Sequence, residues 1–246
     1  MSGYVTASLR FGPDFGLGPA VERPDPQADP RLLAGIGNKV RGKLSEHAGA
    51  QDKGAGKADL FVVPGFLSRQ ECKRLVRVIE RRIGPSELFR GTEIDGFRTS
   101  STHYFDRDDP ETLELERRID GLLGMDHRFA EVTQGQRYLA GQQFKHHYDY
   151  FSTDQAYWQQ EKRRGGQRSW TAMVYLNEPE GGGATDFPHL GLSVAPATGT
   201  LLTWNNMDRE GKPNPATLHA GTPVAAGAKY VITQWYRQDE WSLHLR

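Results

Sequence analysis

The sequence predicts an α+β fold, mainly β, in which an antiparallel sandwich or barrel carries supporting helices on one side. Three observations predict it. Stretches with helical spacing of apolar residues fall before residue 125. From about residue 130, short β-rich runs follow one another, punctuated by Gly, Pro and Asn. At 246 residues the chain is long enough for one sizeable core, and one large domain accounts for it better than two.

Residues 1 to about 30 are rich in Gly, Pro and charge without sustained periodicity, so they are expected to lack stable structure of their own. Leu33, Ile36, Val40 and Leu44 fit one short amphipathic helix, weakened by Gly35, Gly37 and Gly42. The run HAGAQDKGAGKAD, His47 to Asp59, reads as a linker. Residues 1–58 are therefore expected to be a flexible extension with at most that one helix, and residues 59–246 the folded domain. Leu60 to Val63 is a short apolar strand. Ser68 with Glu71 three residues on forms a capping box, which satisfies free backbone donors at a helix start. Cys72, Leu75, Val76, Ile79 and Ile83 then follow at helical spacing, and Gly84 is a natural stop. A second helix is expected from Asp109 as N-cap and Pro110 as first residue. Leu115, Ile119, Leu122 and Leu123 form its buried stripe, and Gly124 ends it.

Composition excludes several classes. Lys plus Arg and Asp plus Glu number 31 each, so the formal charge is zero, against a nucleic-acid binder. The single cysteine, Cys72, rules out an intrachain disulfide framework and a cysteine-rich metal site, and fits a reducing compartment. The first twenty residues show no basic segment followed by an apolar run, and no stretch approaches the roughly 18 apolar residues of a membrane helix. The expectation is a cytoplasmic protein with no membrane and no nucleic-acid partner; the sequence leaves the oligomeric state open.

The stretch FKHHYDYF, Phe144 to Phe151, carries the chemistry. On a strand, residues i and i+2 project to one side, so His147 and Asp149 can aim at one ion while His146 points away. Two histidines and one carboxylate are the usual facial set for oxygen-activating iron. An aromatic strand with polar residues on its outer face is the competing reading. His219 in PATLHAGTPV is the leading third ligand, because Lys229 follows it at the start of an apolar strand, KYVITQWYR. Alternation puts Lys229, Val231, Thr233 and Trp235 on one side. If that side faces inward, Lys229 needs an anion, which a dicarboxylate cosubstrate supplies; alternatively it snorkels at the strand end.

The order Tyr138-x-x-Gly141-x-x-Phe144-x-x-His147-x-Asp149, then His219, then Lys229, resembles the prolyl 4-hydroxylase branch of the 2-oxoglutarate- and Fe(II)-dependent dioxygenases. FVVPGFLSRQEC, GFRTSS and RSWTAMVYLNEPEGGGATDFP resemble further blocks of that family, and the likeness spans roughly residues 60 to 240. The resemblance implies a double-stranded β-helix (jelly-roll) core with supporting N-terminal helices. It implies that His147, Asp149 and His219 are iron ligands and that Lys229 pairs with the distal carboxylate of 2-oxoglutarate. Tyr138 and Thr171 match positions that contact that cosubstrate, and Trp235 matches an aromatic beside the metal pocket. Phe144 departs from the family's frequent tyrosine, which puts any hydrogen bond from that position in doubt. The implied reaction hydroxylates an unactivated C–H bond with release of succinate and CO2. It uses Fe(II), 2-oxoglutarate and O2, with ascorbate as an accessory reductant.

The collagen- and plant-like pattern around Lys229 points to a prolyl residue in a peptide or protein as substrate. The same chemistry on a free amino acid or small metabolite stands beside it, as does a non-catalytic metal-binding jelly-roll sensor. A cupin-type dioxygenase without 2-oxoglutarate leaves Lys229 unexplained. Two loops could shape a substrate site, Gly84 to Arg98 and the long insertion Phe151 to Trp170.

Overall fold

The computed structural model describes residues 5–6, 28–86, 96–107 and 109–242. The first helix, α1 (Pro30–Glu46), starts where Asp29 accepts main-chain N–H bonds from Arg31 and Leu32. It buries Leu33, Val40 and Leu44, so the stretch read as part of a flexible extension packs against the domain. The expected linker is likewise built in. Gln51–Asp52 pairs with β1 (Leu60–Val63), and Arg41 reaches Asp59 at 3.0 Å. Glycines suggested a tether here because each allows a turn; in the fold they close one. Gly54 has no room for a Cβ, which would lie 1.7 Å from the Ala58 carbonyl oxygen.

Helix α2 (Arg69–Arg81) begins with the expected capping box: the Glu71 N–H donates to Ser68 Oγ, and the Ser68 N–H to the Glu71 carboxylate. Cys72, Leu75, Val78 and Ile79 are buried; Val76 and Ile83 only pack at the margin. Gly84 does not stop the helix, which ends at Arg81, and it pairs instead with β2 (Ser101–Tyr104). Helix α3 (Leu113–Leu123) also starts later than expected. Asp109 and Pro110 form a preceding turn, in which Asp109 accepts from the Glu111 N–H, and Thr112 is the cap. Gly124 ends α3 in the left-handed conformation at φ 65°.

The β-rich remainder supplies β3 (Gln134–Leu139), β4 (Phe144–Tyr148), β5 (Arg168–Tyr175), β6 (Thr185–Phe187), β7 (Leu192–Val194), β8 (Leu201–Asn205), β9 (His219–Gly221) and β10 (Ala228–Arg237). The larger sheet runs β1-β8-β5-β10-β3-β2, flanked by the short strands Gln51–Asp52 and Gly84–Pro85. The smaller runs β4-β9-β6-β7, with Val5–Thr6 lying parallel on the outer edge of β4. All other pairings are antiparallel, which is the double-stranded β-helix predicted above.

Period-two alternation divides the larger sheet into two buried faces. Trp170, Ala172 and Val174 of β5, with Ile232 and Tyr236 of β10, meet α1, α2 and α3 in one apolar cluster. Met173, Tyr175 and Val231 face the other way, toward Phe187, Leu202 and Trp204 between the sheets. The helices thus cover the back of the larger sheet, leaving the inter-sheet space for the site. The loop from residue 84 to 98 falls largely outside the described residues. The insertion after β4 carries a short helix, α4 (Trp158–Glu161), whose Trp158 and Glu161 are buried. Among the described residues no helix is long and apolar enough to cross a membrane.

Candidate active site

Strands β4 and β9 are neighbours, and their register sets His147 directly opposite His219. Asp149 follows one residue beyond the end of β4 on the same side. The three side chains offer ligand atoms that lie within 4.8 Å of one another, and all three residues are buried. His147 Nε2 is 3.8 Å from Asp149 Oδ1, and His219 Nε2 is 3.8 Å from Asp149 Oδ2. His146 takes the opposite face, exposed, 3.5 Å from Asp186.

The imidazoles are oriented from behind. His147 Nδ1 donates to the Lys145 carbonyl at 2.7 Å and His219 Nδ1 to the Thr217 carbonyl at 2.9 Å. With the proton on Nδ1, each Nε2 presents a lone pair toward the shared centre. Burial lowers both histidine pKa values, with the neighbouring His219 adding to the fall at His147. Both rings are therefore neutral, the form that ligates a metal. Phe144 stacks on His147 at 3.6 Å, and Trp204 and Phe187 flank His219 at 4.8 and 5.4 Å. Two neutral imidazoles and one carboxylate, converging and buried, suit a divalent first-row metal such as Fe(II).

Thr171, matched above to a position that contacts the cosubstrate, is fully buried beside Asp149. Its hydroxyl donates to Asp149 Oδ2 at 2.8 Å and accepts from Asn206 Nδ2 at 3.0 Å. Alternation turns Thr171 to the same face of β5 as Met173 and Tyr175, toward the inter-sheet space, where its hydroxyl meets Asp149.

A cavity of about 450 Å³, counting its open mouth, reaches the cluster. Lys229, Val231, Thr233 and Trp235 all line it, so β10 presents the inward set that alternation anticipated. Lys229 lies opposite Tyr138 in the β10–β3 register, with Nζ 5.4 Å from the Tyr138 ring and 5.5 Å from the Tyr175 ring. Among the described residues no carboxylate pairs with it, and burial brings its pKa down to about 7. It does not snorkel; only 3% of it is exposed. Gly183, at φ 72°, lets the glycine turn pass beside this side chain, where a Cβ would sit 3.2 Å from Lys229 Cδ.

Sequence reasoning gave no role to Arg98, Trp204 or Asn206. Arg98 lines the cavity 5.0 Å over the Phe144 ring, with Nη1 buried and without a partner among the described residues. The indole N–H groups of Trp204 and Trp235 are also buried without partners. Arg98 could have been found by the logic that found Lys229, a lone cation beside an aromatic; Asn206 reads only as turn punctuation.

Comparison with known proteins agrees with this geometry. A family model described as "2OG-Fe(II) oxygenase superfamily" matches residues 133–237. "Probable prolyl 4-hydroxylase 10" of Arabidopsis thaliana is 31% identical over 206 residues, covering 74% of this chain and 70% of that protein. "Prolyl 4-hydroxylase subunit alpha-3" of Homo sapiens is 32% identical over 178 residues, 70% of this chain and 32% of the human subunit. Among solved structures, the viral collagen prolyl hydroxylase of Paramecium Bursaria Chlorella virus-1, in its 2OG complex, shares 33% identity at a TM-score of 0.58. It covers 72% of this chain and 95% of the viral one. A Trichoplax adhaerens prolyl hydroxylase shares the fold at a TM-score of 0.58 and 17% identity. The chain belongs to the prolyl 4-hydroxylase-like branch of the 2-oxoglutarate- and Fe(II)-dependent dioxygenases.

Proposed function

We propose that the protein hydroxylates a prolyl residue in a peptide or protein, consuming 2-oxoglutarate and O2 and releasing succinate and CO2. The observation that carries this reading is the meeting, in one cavity, of the buried His147–Asp149–His219 cluster with a buried cation, Lys229, that no carboxylate pairs among the described residues. A metal site alone does not call for that cation; a dicarboxylate cosubstrate does.

In this reading His147 Nε2, His219 Nε2 and the Asp149 carboxylate hold Fe(II). When bound, the iron supplies the activation of dioxygen and the oxidative decarboxylation of 2-oxoglutarate. The residues supply placement. Lys229 binds the far carboxylate of 2-oxoglutarate by a charge-assisted contact, beside Tyr138. Thr171 fixes the rotation of the Asp149 carboxyl through its hydrogen bond at Oδ2. The aromatic walls from Phe144, Trp204 and Trp235 keep water from the reacting centre. The unpartnered N–H groups of Arg98 and Trp235 offer donors to a substrate's carbonyl oxygens. Phe144, lacking the phenol of many relatives, gives packing on His147 and no hydrogen bond there.

A cytoplasmic location accompanies the proposal, supported by Cys72, which is free and buried. Burial raises that thiol to about 11, so it is inert packing. The deciding experiment is succinate release with Fe(II), 2-oxoglutarate and a library of proline-containing peptides. A mass gain of one oxygen on a proline is expected. Succinate formed only with a free amino acid or small metabolite would reassign the substrate; no iron-dependent decarboxylation with any substrate would reject the enzyme reading.

A further inference from the structure

Outside the cavity lies a second group of charges that the reaction does not use. The side chains of Glu131, Glu161, Arg168 and Arg237 are each about 1% exposed. Arg168 Nε and Nη2 donate to the two Glu131 oxygens at 2.6 and 2.7 Å. Arg237 Nε donates to the same carboxylate at 2.5 Å, its Nη1 to the Gly166 carbonyl at 2.6 Å, and its Nη2 to Glu161. Two buried arginines balance two buried carboxylates, and the part-exposed Arg164 adds a longer contact to Glu161 at 3.4 Å. Burial works against the Glu131 carboxylate, but the two guanidiniums prevail and hold its pKa below the ordinary value.

A buried ion-pair network is weak evidence for stability, since an apolar replacement of the same volume is often as stable. What the network touches is more telling. Arg168 Nη1 reaches the main-chain carbonyl of Asp149 at 3.5 Å, and its guanidinium lies 4.2 Å over the Trp235 ring. Arg168 and Arg237 lie 5.0 and 4.4 Å over Phe151, two residues after Asp149. Gln167 closes on the same segment, accepting from the Phe151 N–H at 2.6 Å and donating to its carbonyl at 2.9 Å. Glu131 in turn donates its main-chain N–H to the Trp235 carbonyl at 2.8 Å. Both Asp149 and Trp235 are therefore gripped through one set of charges, and that set ends on α4 of the insertion.

We propose that Glu161, Arg237, Glu131 and Arg168 are positioning residues, through which the insertion after β4 fixes the placement of Asp149 and Trp235. The insertion is then a fixed support behind the site, outside the cavity lining, and not a lid. The inference rests on the reading of His147, Asp149 and His219 as a metal site. The coupling follows from one carboxylate serving two arginines. Removing the Glu161 charge leaves Arg237 buried with Glu131 as its remaining ion-pair partner among the described residues, so it competes with Arg168 and loosens the grip on the Asp149 segment.

The test uses the full chain and Co(II) alone, without 2-oxoglutarate. Its dissociation constant is read from visible absorption well below the unfolding temperature. Glu161→Gln should weaken Co(II) binding about tenfold or more, as loss of partners behind metal ligands generally does. Adding Arg237→Met, which removes the stranded cation, should recover most of the loss. Leu75→Ala, in the core behind the larger sheet, serves as control: it should lower Tm without moving the Co(II) affinity. Arg168→Lys keeps the charge but not the fork, and should weaken binding and shift the Co(II) band. Co(II) affinities of Glu161→Gln and Arg168→Lys within about twofold of wild type, with Tm lowered, would overturn the positioning role. Wild-type protein that binds no Co(II) would overturn the metal reading itself, and this inference with it.

Discussion

Among the described residues no carboxylate balances Lys229, a cation kept from water, and its properties should report directly on the cosubstrate. Its pKa is brought down to about 7 by burial, so the free protein loses this charge near neutrality. A dicarboxylate binds the protonated form, so binding must pull the proton back and raise the pKa. The sign follows: 2-oxoglutarate binding takes up a proton above pH 7, and affinity falls as pH rises, by up to about tenfold per pH unit. Calorimetry of the Mn(II)-loaded protein at pH 8, in two buffers of different ionisation enthalpy, measures that uptake; none is expected in Lys229→Met. Replacing Lys229 by Ala should raise KM for 2-oxoglutarate by roughly 10- to 100-fold, the usual worth of a hydrogen bond to a charged group. An unchanged KM would contradict its assignment. Lys229 was legible in the sequence because a cation on the inward side of an apolar strand has no bland position. Arg237 ends the same strand and Arg168 opens β5, yet their partners come from segments that only the fold brings together. No spacing rule could reveal that Glu131 serves both.

At the scale of the element, helix starts and stops were only partly readable. The Ser68 box is local chemistry over four residues and holds as predicted; Ser68→Ala should cost about 1 kcal/mol in denaturant unfolding. The start of α3 was missed because Asp109 and Pro110 make an equally local turn one step earlier. Just beyond α3, His127 donates to Asp120 at 3.1 Å and lies 3.7 Å from Glu116, and the bond to Asp120 raises its pKa. A histidine raised on folding stabilises fully below its unfolded pKa of about 6.5, and that contribution is lost as pH rises through the folded value. The Tm advantage of wild type over His127→Gln should therefore shrink across that window. An identical slope in the two proteins would show that this bond does not contribute to it.

For the whole molecule, the double-stranded β-helix was legible because its strands are short, regular and separated by glycine turns, and the ordered motif blocks fixed their sequence. The N-terminal boundary was not, because three apolar residues spaced along a glycine-containing helix say nothing about what they pack against. Leu33, Val40 and Leu44 are buried on the domain, each contributing about 1.5–3 kcal/mol on an area basis. That is large beside a net stability of about 5–15 kcal/mol. We propose that the stable unit reaches back at least to residue 28, and not only to 59. A chain beginning at residue 59 should unfold at markedly lower denaturant than one beginning at 28. Equal midpoints would restore the reading of α1 as dispensable.

The pairing of His147 with His219 has one more consequence. Strand β9 is only three residues long, and its register against β4 slips between His219 and Gly221. Its hydrogen bonds alone make a weak seam between stretches of chain far apart in sequence. A metal held by one side chain from each strand would act as a fastener across that seam, closing a long loop as a disulfide does. Chelation should then release the smaller sheet before the larger one. Hydrogen exchange at Ala220 and Gly221 should quicken when the metal is withdrawn, while amides of β5 and β10 stay protected. In this fold the cofactor that serves chemistry would also be the last stitch in the structure.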